Sequence, residues 1–128
     1  MFRRFFLATI VLAGCGPSPP AAVLPHEVDV AAGQRDYALY CASCHGESGD
    51  ATGPLASSLA VQPADHTDGA YMNRLSDAYL YQVIDEGGPA VGKSHIMAAW
   101  GGTLADEQIW NLVVFIRSLA EPPYSGVD

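Results

Sequence analysis

Hydrophobic positions along the chain gather into three helical stripes, separated by long stretches rich in glycine and proline. Near the C-terminal end, Ile109, Leu112, Val113, Ile116 and Ala120 recur at helical spacing, with Phe115 and Leu119 beside them. They predict an amphipathic helix over about 105–119. Asp106 and Glu107 suit its positive start and Arg117 its negative end, with Ala105 or Thr103 at the cap. The run Ile109 to Ile116 is broken only by Asn111 and is too short to cross a bilayer, so it reads as core. Trp110 and Val114 are left to face a partner. A second stripe, Tyr79, Leu80, Val83 and Ile84, predicts a helix over about 77–86, capped by Ser76 and stopped by Gly87-Gly88. The first helix is expected over about 30–43, with Asp29 as N-cap and Gly33, Tyr37 and Cys41 on one face. Glycine inside a helix costs about 1 kcal/mol against alanine. Gly33 therefore predicts a close crossing, with the C-terminal helix as the partner.

The intervening stretches, 46–71 and 87–102, are long for loops of a domain without a cofactor. With 128 residues the chain has room for one domain, whose core is thin for its length. A large apolar group at its centre would replace missing core side chains.

Cys41-Ala42-Ser43-Cys44-His45 supplies the chemistry for such a group. C-x-x-C-H is the attachment pattern of a c-type haem. The two thiols reach two vinyl groups, and the adjacent imidazole reaches the iron. A zinc knuckle would want two further Cys or His ligands at similar spacing, and the one remaining cysteine is Cys15. A thioredoxin-like pair would want alternating strands and helices around it, and the pattern has none. The expected cofactor is one covalent haem c on Cys41 and Cys44.

The N-terminal end reads as an export signal. Arg3 and Arg4 precede the apolar run Phe5 to Ala13, and Leu12-Ala13-Gly14-Cys15 resembles a bacterial lipoprotein box. Arg3 to Leu7 also resembles a twin-arginine signal, a route that carries folded cargo and so suits c-type haem attachment poorly. The expected division is a signal peptide over 1–14, an acylated Cys15 with a proline-rich tether over 15–28, and a folded domain over 29–128. Pro17, Pro19, Pro20 and Pro25 make that tether semi-rigid. The formal charge is −8, and loss of Arg3 and Arg4 makes the mature chain more negative still. Such a surface repels nucleic acid and anionic headgroups. With only Arg35, Arg74, Lys93 and Arg117 as mature cations, a redox protein partner should offer a basic or an apolar docking face.

From about Ala31 to Leu119 the chain resembles class I (mitochondrial-type) bacterial cytochromes c, with one haem. The match rests on Gly33 and Tyr37, on Leu112 and Phe115 opposite them, on Gly53-Pro54-Leu55, and on Gly101 to Leu104 leading into the last helix. The resemblance implies an all-α cytochrome c fold, three to five short helices wrapped by Gly/Pro-rich loops around one haem. It implies that the Pro54 carbonyl accepts the His45 Nδ1 proton, and that Met97 is the second axial ligand opposite His45. Ala98 stands where the family commonly has proline. Met72 is expected to be packing, His95 is the rival to Met97 and otherwise a loop residue bonded to solvent or a haem propionate, His66 is a partly exposed loop residue, and Tyr71, Tyr79, Tyr81 and Trp100 are walls of the haem pocket. The function implied is single-electron transfer on the periplasmic side of a bacterial membrane. Alternatives are a cytochrome subunit of a periplasmic dehydrogenase or oxidase, or a sensor or peroxidase with a labile methionine. The chain shows no nucleophile-and-base pair, phosphate loop or second metal motif, so it reads as a carrier and not an enzyme.

Overall fold

The computed structural model describes residues 27–126. The expected signal peptide, Cys15 and most of the tether lie outside these residues. Helices α1 (Val30–Tyr40), α2 (Ala42–His45), α3 (Gly69–Met72), α4 (Asp77–Glu86) and α5 (Asp106–Leu119) account for the regular structure, with short 3-10 turns at Ala56–Ser58 and Gly88–Val91. The described residues form no strand beyond an isolated bridge between Asp68 and Glu121. No described helix is long and apolar enough to cross a membrane.

The expected caps form. Asp29 accepts from the Ala31 and Ala32 N–H groups at 2.8 and 3.0 Å, and Ser76 Oγ from Tyr79 N–H at 3.1 Å. Helix α5 starts after Ala105, whose N–H donates to Gln108 Oε1 at 3.1 Å, so neither Ala105 nor Thr103 caps it with a side chain.

Helices α1 and α5 make the most extensive packing among the described elements. At their crossing, a Cβ on Gly33 would fall onto the Asn111 carbonyl and within 2.9 Å of Phe115 Cβ. This is the close approach that the glycine predicts. Tyr37, 1% exposed, meets Phe115 edge-on with ring centroids 5.1 Å apart. Asn111 interrupts the apolar run for a reason: its Oδ1 accepts the Asp29 N–H at 2.8 Å and ties the start of α1 to α5.

Three expectations need correction. The first helix does not run on to residue 43. It ends at Tyr40, because Cys41 turns to φ −116°, and α2 starts afresh at Ala42. Helix α3 begins within a stretch read as loop, capped by Asp68 and held by a hydrogen bond from Gly69 N–H to the Glu121 carbonyl at 3.0 Å. Arg117 does more than face a helix end. It is buried, pairs with Asp77 at 2.7 Å, donates to the Met72 carbonyl at 2.8 Å and to the Leu75 carbonyl, and lies 3.8 Å from the Tyr124 ring centre.

Candidate functional site

The break at Cys41 brings the Cys41, Cys44 and His45 side chains onto one cavity of about 530 Å³. That size falls within the roughly 300–1,000 Å³ of small-molecule and cofactor sites. The cavity opens between α2, the 59–66 segment, α3, α4 and the 88–100 loop. Its lining is largely apolar, and Lys93 is its only Lys, Arg, Asp or Glu. Burial pushes the Cys41 thiol up to about 12, with Asp36 adding to the effect. Among the described residues no three His, Cys, Asp or Glu groups converge as a closed zinc site would need.

His45 faces this cavity with its Nδ1 2.9 Å from the Ala64 carbonyl oxygen. A carbonyl only accepts, so Nδ1 carries the proton and Nε2 keeps its lone pair free. Burial lowers the His45 pKa, and the bond to Ala64 partly opposes that, so the fold favours the neutral ring.

The acceptor corrects the expectation for Pro54. Gly53 is pressed against the Ser43 and Ala42 carbonyls, and Leu55 N–H bonds Ser43 at 2.9 Å. These contacts hold the Gly53-Pro54-Leu55 turn against the backbone of α2, leaving Pro54 exposed and off the cavity wall. Ala64, further along the same loop, reaches the imidazole instead.

Met97 and Met72 both line the cavity, whereas His95 is exposed and does not. Met72 is 2% exposed and belongs to the core cluster, in keeping with a packing role. The Met97 loop is folded back onto the end of α4. Gly88 N–H donates to the Met97 carbonyl at 3.0 Å, and Trp100 N–H to the Ile84 carbonyl at 2.9 Å. Gly87 and Gly88 are thus more than a helix stop. A Cβ on Gly87 would lie 2.9 Å from the Met97 carbonyl oxygen, and one on Gly88 3.1 Å from Met97 Cβ.

Tyr71, Tyr79 and Trp100 line the cavity as expected, and Tyr40 joins them, 5.2 Å from the Trp100 ring. Tyr81 does not. It donates to Asp106 at 3.0 Å and packs on Trp110 with ring centroids 4.8 Å apart, while Trp110 and Val114 stay half-buried. His66 is not the partly exposed loop residue expected either. It is 8% exposed, stacks on His45 with centroids 4.3 Å apart and planes 16° from parallel, and shares a 2.9 Å hydrogen bond with the Tyr37 hydroxyl. Burial, then the neighbouring His45, lowers its pKa to about 3. One signal for this was available: a buried tyrosine needs a partner for its hydroxyl.

Two thiols, an imidazole with a free Nε2 and a thioether around one apolar cavity form a donor set that suits a covalently held haem. Comparison with known proteins agrees. Residues 28–116 match the family described as cytochrome C oxidase, cbb3-type, subunit III. The chain is 34% identical over 97 residues to a cytochrome c6 of Picosynechococcus, covering 73% of this chain and 75% of that one. It is 32% identical over 94 residues to the cbb3-type cytochrome c oxidase subunit CcoP of Azospirillum brasilense, covering 71% of this chain. It spans only 30% of that subunit's length. Among solved structures, a chain of the Kuenenia stuttgartiensis reducing HAO-like protein complex Kustc0457/Kustc0458 superposes with a TM-score of 0.63 at 32% identity. That match covers 80% of this chain and 49% of the other. The KustC0563 c-type cytochrome gives 0.57 at 26% identity, over 69% of this chain and 96% of its own. A helical fold around a C-x-x-C-H cavity, matched along most of its length by such relatives, makes this chain a member of the cytochrome c family.

Proposed function

We propose that this cytochrome c is a single-haem electron carrier, with thioether bonds to Cys41 and Cys44 and with His45 Nε2 and Met97 Sδ as axial ligands. The observation that carries the reading is the meeting of all four donors on one apolar cavity, with His45 Nδ1 already committed to Ala64. Met97 is preferred to His95 because only Met97 lines that cavity. The haem, when bound, supplies a one-electron couple, its iron cycling between ferric and ferrous. The chain's own part is to hold the imidazole in one tautomer, to exclude water with Met72, Leu80 and Ile84, and to keep charge away from the iron.

Electron exchange needs a contact face. Leu39, Val61 and Ile96 are 74, 58 and 46% exposed and lie at the same cavity. They make an apolar rim on an acidic chain, suited to a redox partner with an apolar or basic surface. The leader and Cys15 support export and lipid anchoring on the periplasmic side of a bacterial membrane. A place as the cytochrome subunit of a larger oxidoreductase complex is the second reading, favoured by the likeness to oxidase and HAO-like complex chains.

Absorption spectra of the matured protein, oxidised and reduced, with and without carbon monoxide, test the ligand set. The wild type should be low-spin and ignore carbon monoxide, Met97→Ala should bind it, and His95→Ala should behave as wild type. A wild type that binds carbon monoxide readily would overturn the carrier reading. An unchanged Met97→Ala would move the ligand role elsewhere. Copurification of a catalytic subunit from membranes would favour the second reading.

A further inference from the structure

We propose that Tyr37 and His66 form a positioning device that fixes the ring plane of His45. This rests on His45 being an axial ligand, as above. The His66 ring lies almost parallel to His45 at 4.3 Å. It is itself held at two points: its backbone N–H donates to the Gly49 carbonyl at 2.7 Å, and its Nδ1 hydrogen-bonds the Tyr37 hydroxyl at 2.9 Å. Gly49 has φ +78°, and a Cβ there would lie 2.6 Å from Leu119 Cδ1, 3.3 Å from His66 Cβ and 3.4 Å from the Tyr37 hydroxyl, so the backbone turn packs closely on the pair and on α5. Tyr37 is locked in turn by Phe115 across the α1–α5 crossing.

The Ala64 carbonyl fixes one atom of the His45 ring but leaves rotation about the Nδ1 to carbonyl direction only weakly opposed. An aromatic face laid flat against the imidazole removes that freedom. An apolar side chain at position 66 would fill the space without defining a plane. The hydroxyl of Tyr37 is what orients His66, because His66 needs a hydrogen-bond partner once buried. Orientation matters electronically. The plane of an axial imidazole sets which of two nearly equal iron d orbitals lies higher, and so how unpaired spin spreads over the porphyrin. Tyr37 and His66 act through His45 and touch no reacting atom.

The test uses the matured full chain and three variants: Tyr37→Phe, which removes one hydroxyl; His66→Phe, which keeps an aromatic face without the bond; and His66→Leu, which removes both. The readout is the spread of hyperfine-shifted haem methyl resonances in the ferric protein, with the reduction potential and the thermal midpoint alongside. Tyr37→Phe and His66→Leu should each change the methyl spread while the iron stays low-spin, and His66→Phe should lie nearer to wild type than His66→Leu. A common wild-type methyl pattern in all three, with only the thermal midpoint falling, would show that the pair is mere packing and overturn the proposal. If the wild type carries no covalent haem, the carrier reading fails and this inference with it. A haem-loaded wild type with unresponsive variants sinks this inference alone.

Discussion

Arg117 on α5 reaches the Asp77 carboxylate at the start of α4 at 2.7 Å, and the same guanidinium donates to the carbonyls of Met72, at the end of α3, and of Leu75 beyond it. The arginine side chain is 7% exposed and the aspartate 40%. The pair is therefore unequal. An ion pair with one half-wet partner is worth about 1 kcal/mol or less. The Met72 carbonyl keeps the Leu75 N–H, but the Leu75 carbonyl loses its donor, and a carbonyl left without one costs about 1–3 kcal/mol. Arg117→Met should lower the unfolding free energy by about 3 kcal/mol and Asp77→Asn by about 1 kcal/mol or less. Denaturant titration of both variants checks the order, and equal losses would mean that the ion pair carries the effect.

Gly33→Ala offers a contest between local preference and packing. Helix propensity favours alanine by about 1 kcal/mol. The new methyl, however, meets the backbone carbonyl of Asn111, which no rotamer change can move. Overpacking of this kind costs about 1–3 kcal/mol. The variant should have a lower urea midpoint than wild type, and a rise would show that α1 and α5 can part without loss.

Cofactor loss should be read in structure as well as colour. Cys41→Ser with Cys44→Ser removes both attachment points around a cavity of about 530 Å³. Apolar walls with nothing between them lose their contacts. The double variant should lose near-ultraviolet circular dichroism and cooperative thermal unfolding. A sharp transition near the wild-type midpoint would mean that the protein part folds independently.

At high pH, Tyr81 gives a signed expectation. Partial burial, then its hydrogen bond to Asp106, raises its pKa from 10.0 to about 12. The folded state then holds a proton that the unfolded state has released, so stability present below pH 10 is lost as pH rises toward 12. Tyr81→Phe should flatten part of that alkaline decline in melting temperature between pH 9 and about 12. An unchanged slope would assign the decline to other groups.

The helices were readable because periodicity and caps are local. Asp29, Ser76 and Gly87 act within four residues of their own position, and Gly33 announced its crossing by being a costly residue in a helix. The motif at Cys41 to His45 carried the chemistry for the same reason. What escaped was set by distant partners. The bend at Cys41 gives no periodic signal, and α3 has only four residues. Every residue offers a carbonyl, so sequence does not separate Ala64 from Pro54 as the acceptor. His66 and Tyr37 lie 29 positions apart, Arg117 and Met72 lie 45 apart, and their pairing exists only in the folded chain.

The crossing at Gly33 also has a temporal side. The helix that leads into Cys41 finds its main packing partner in α5, near the far end of the sequence. Closing so long a loop is entropically slow and needs both ends in hand. A chain that emerges in order cannot complete this crossing before α5 is available, so the packing behind Cys41 is set by residues more than sixty positions downstream.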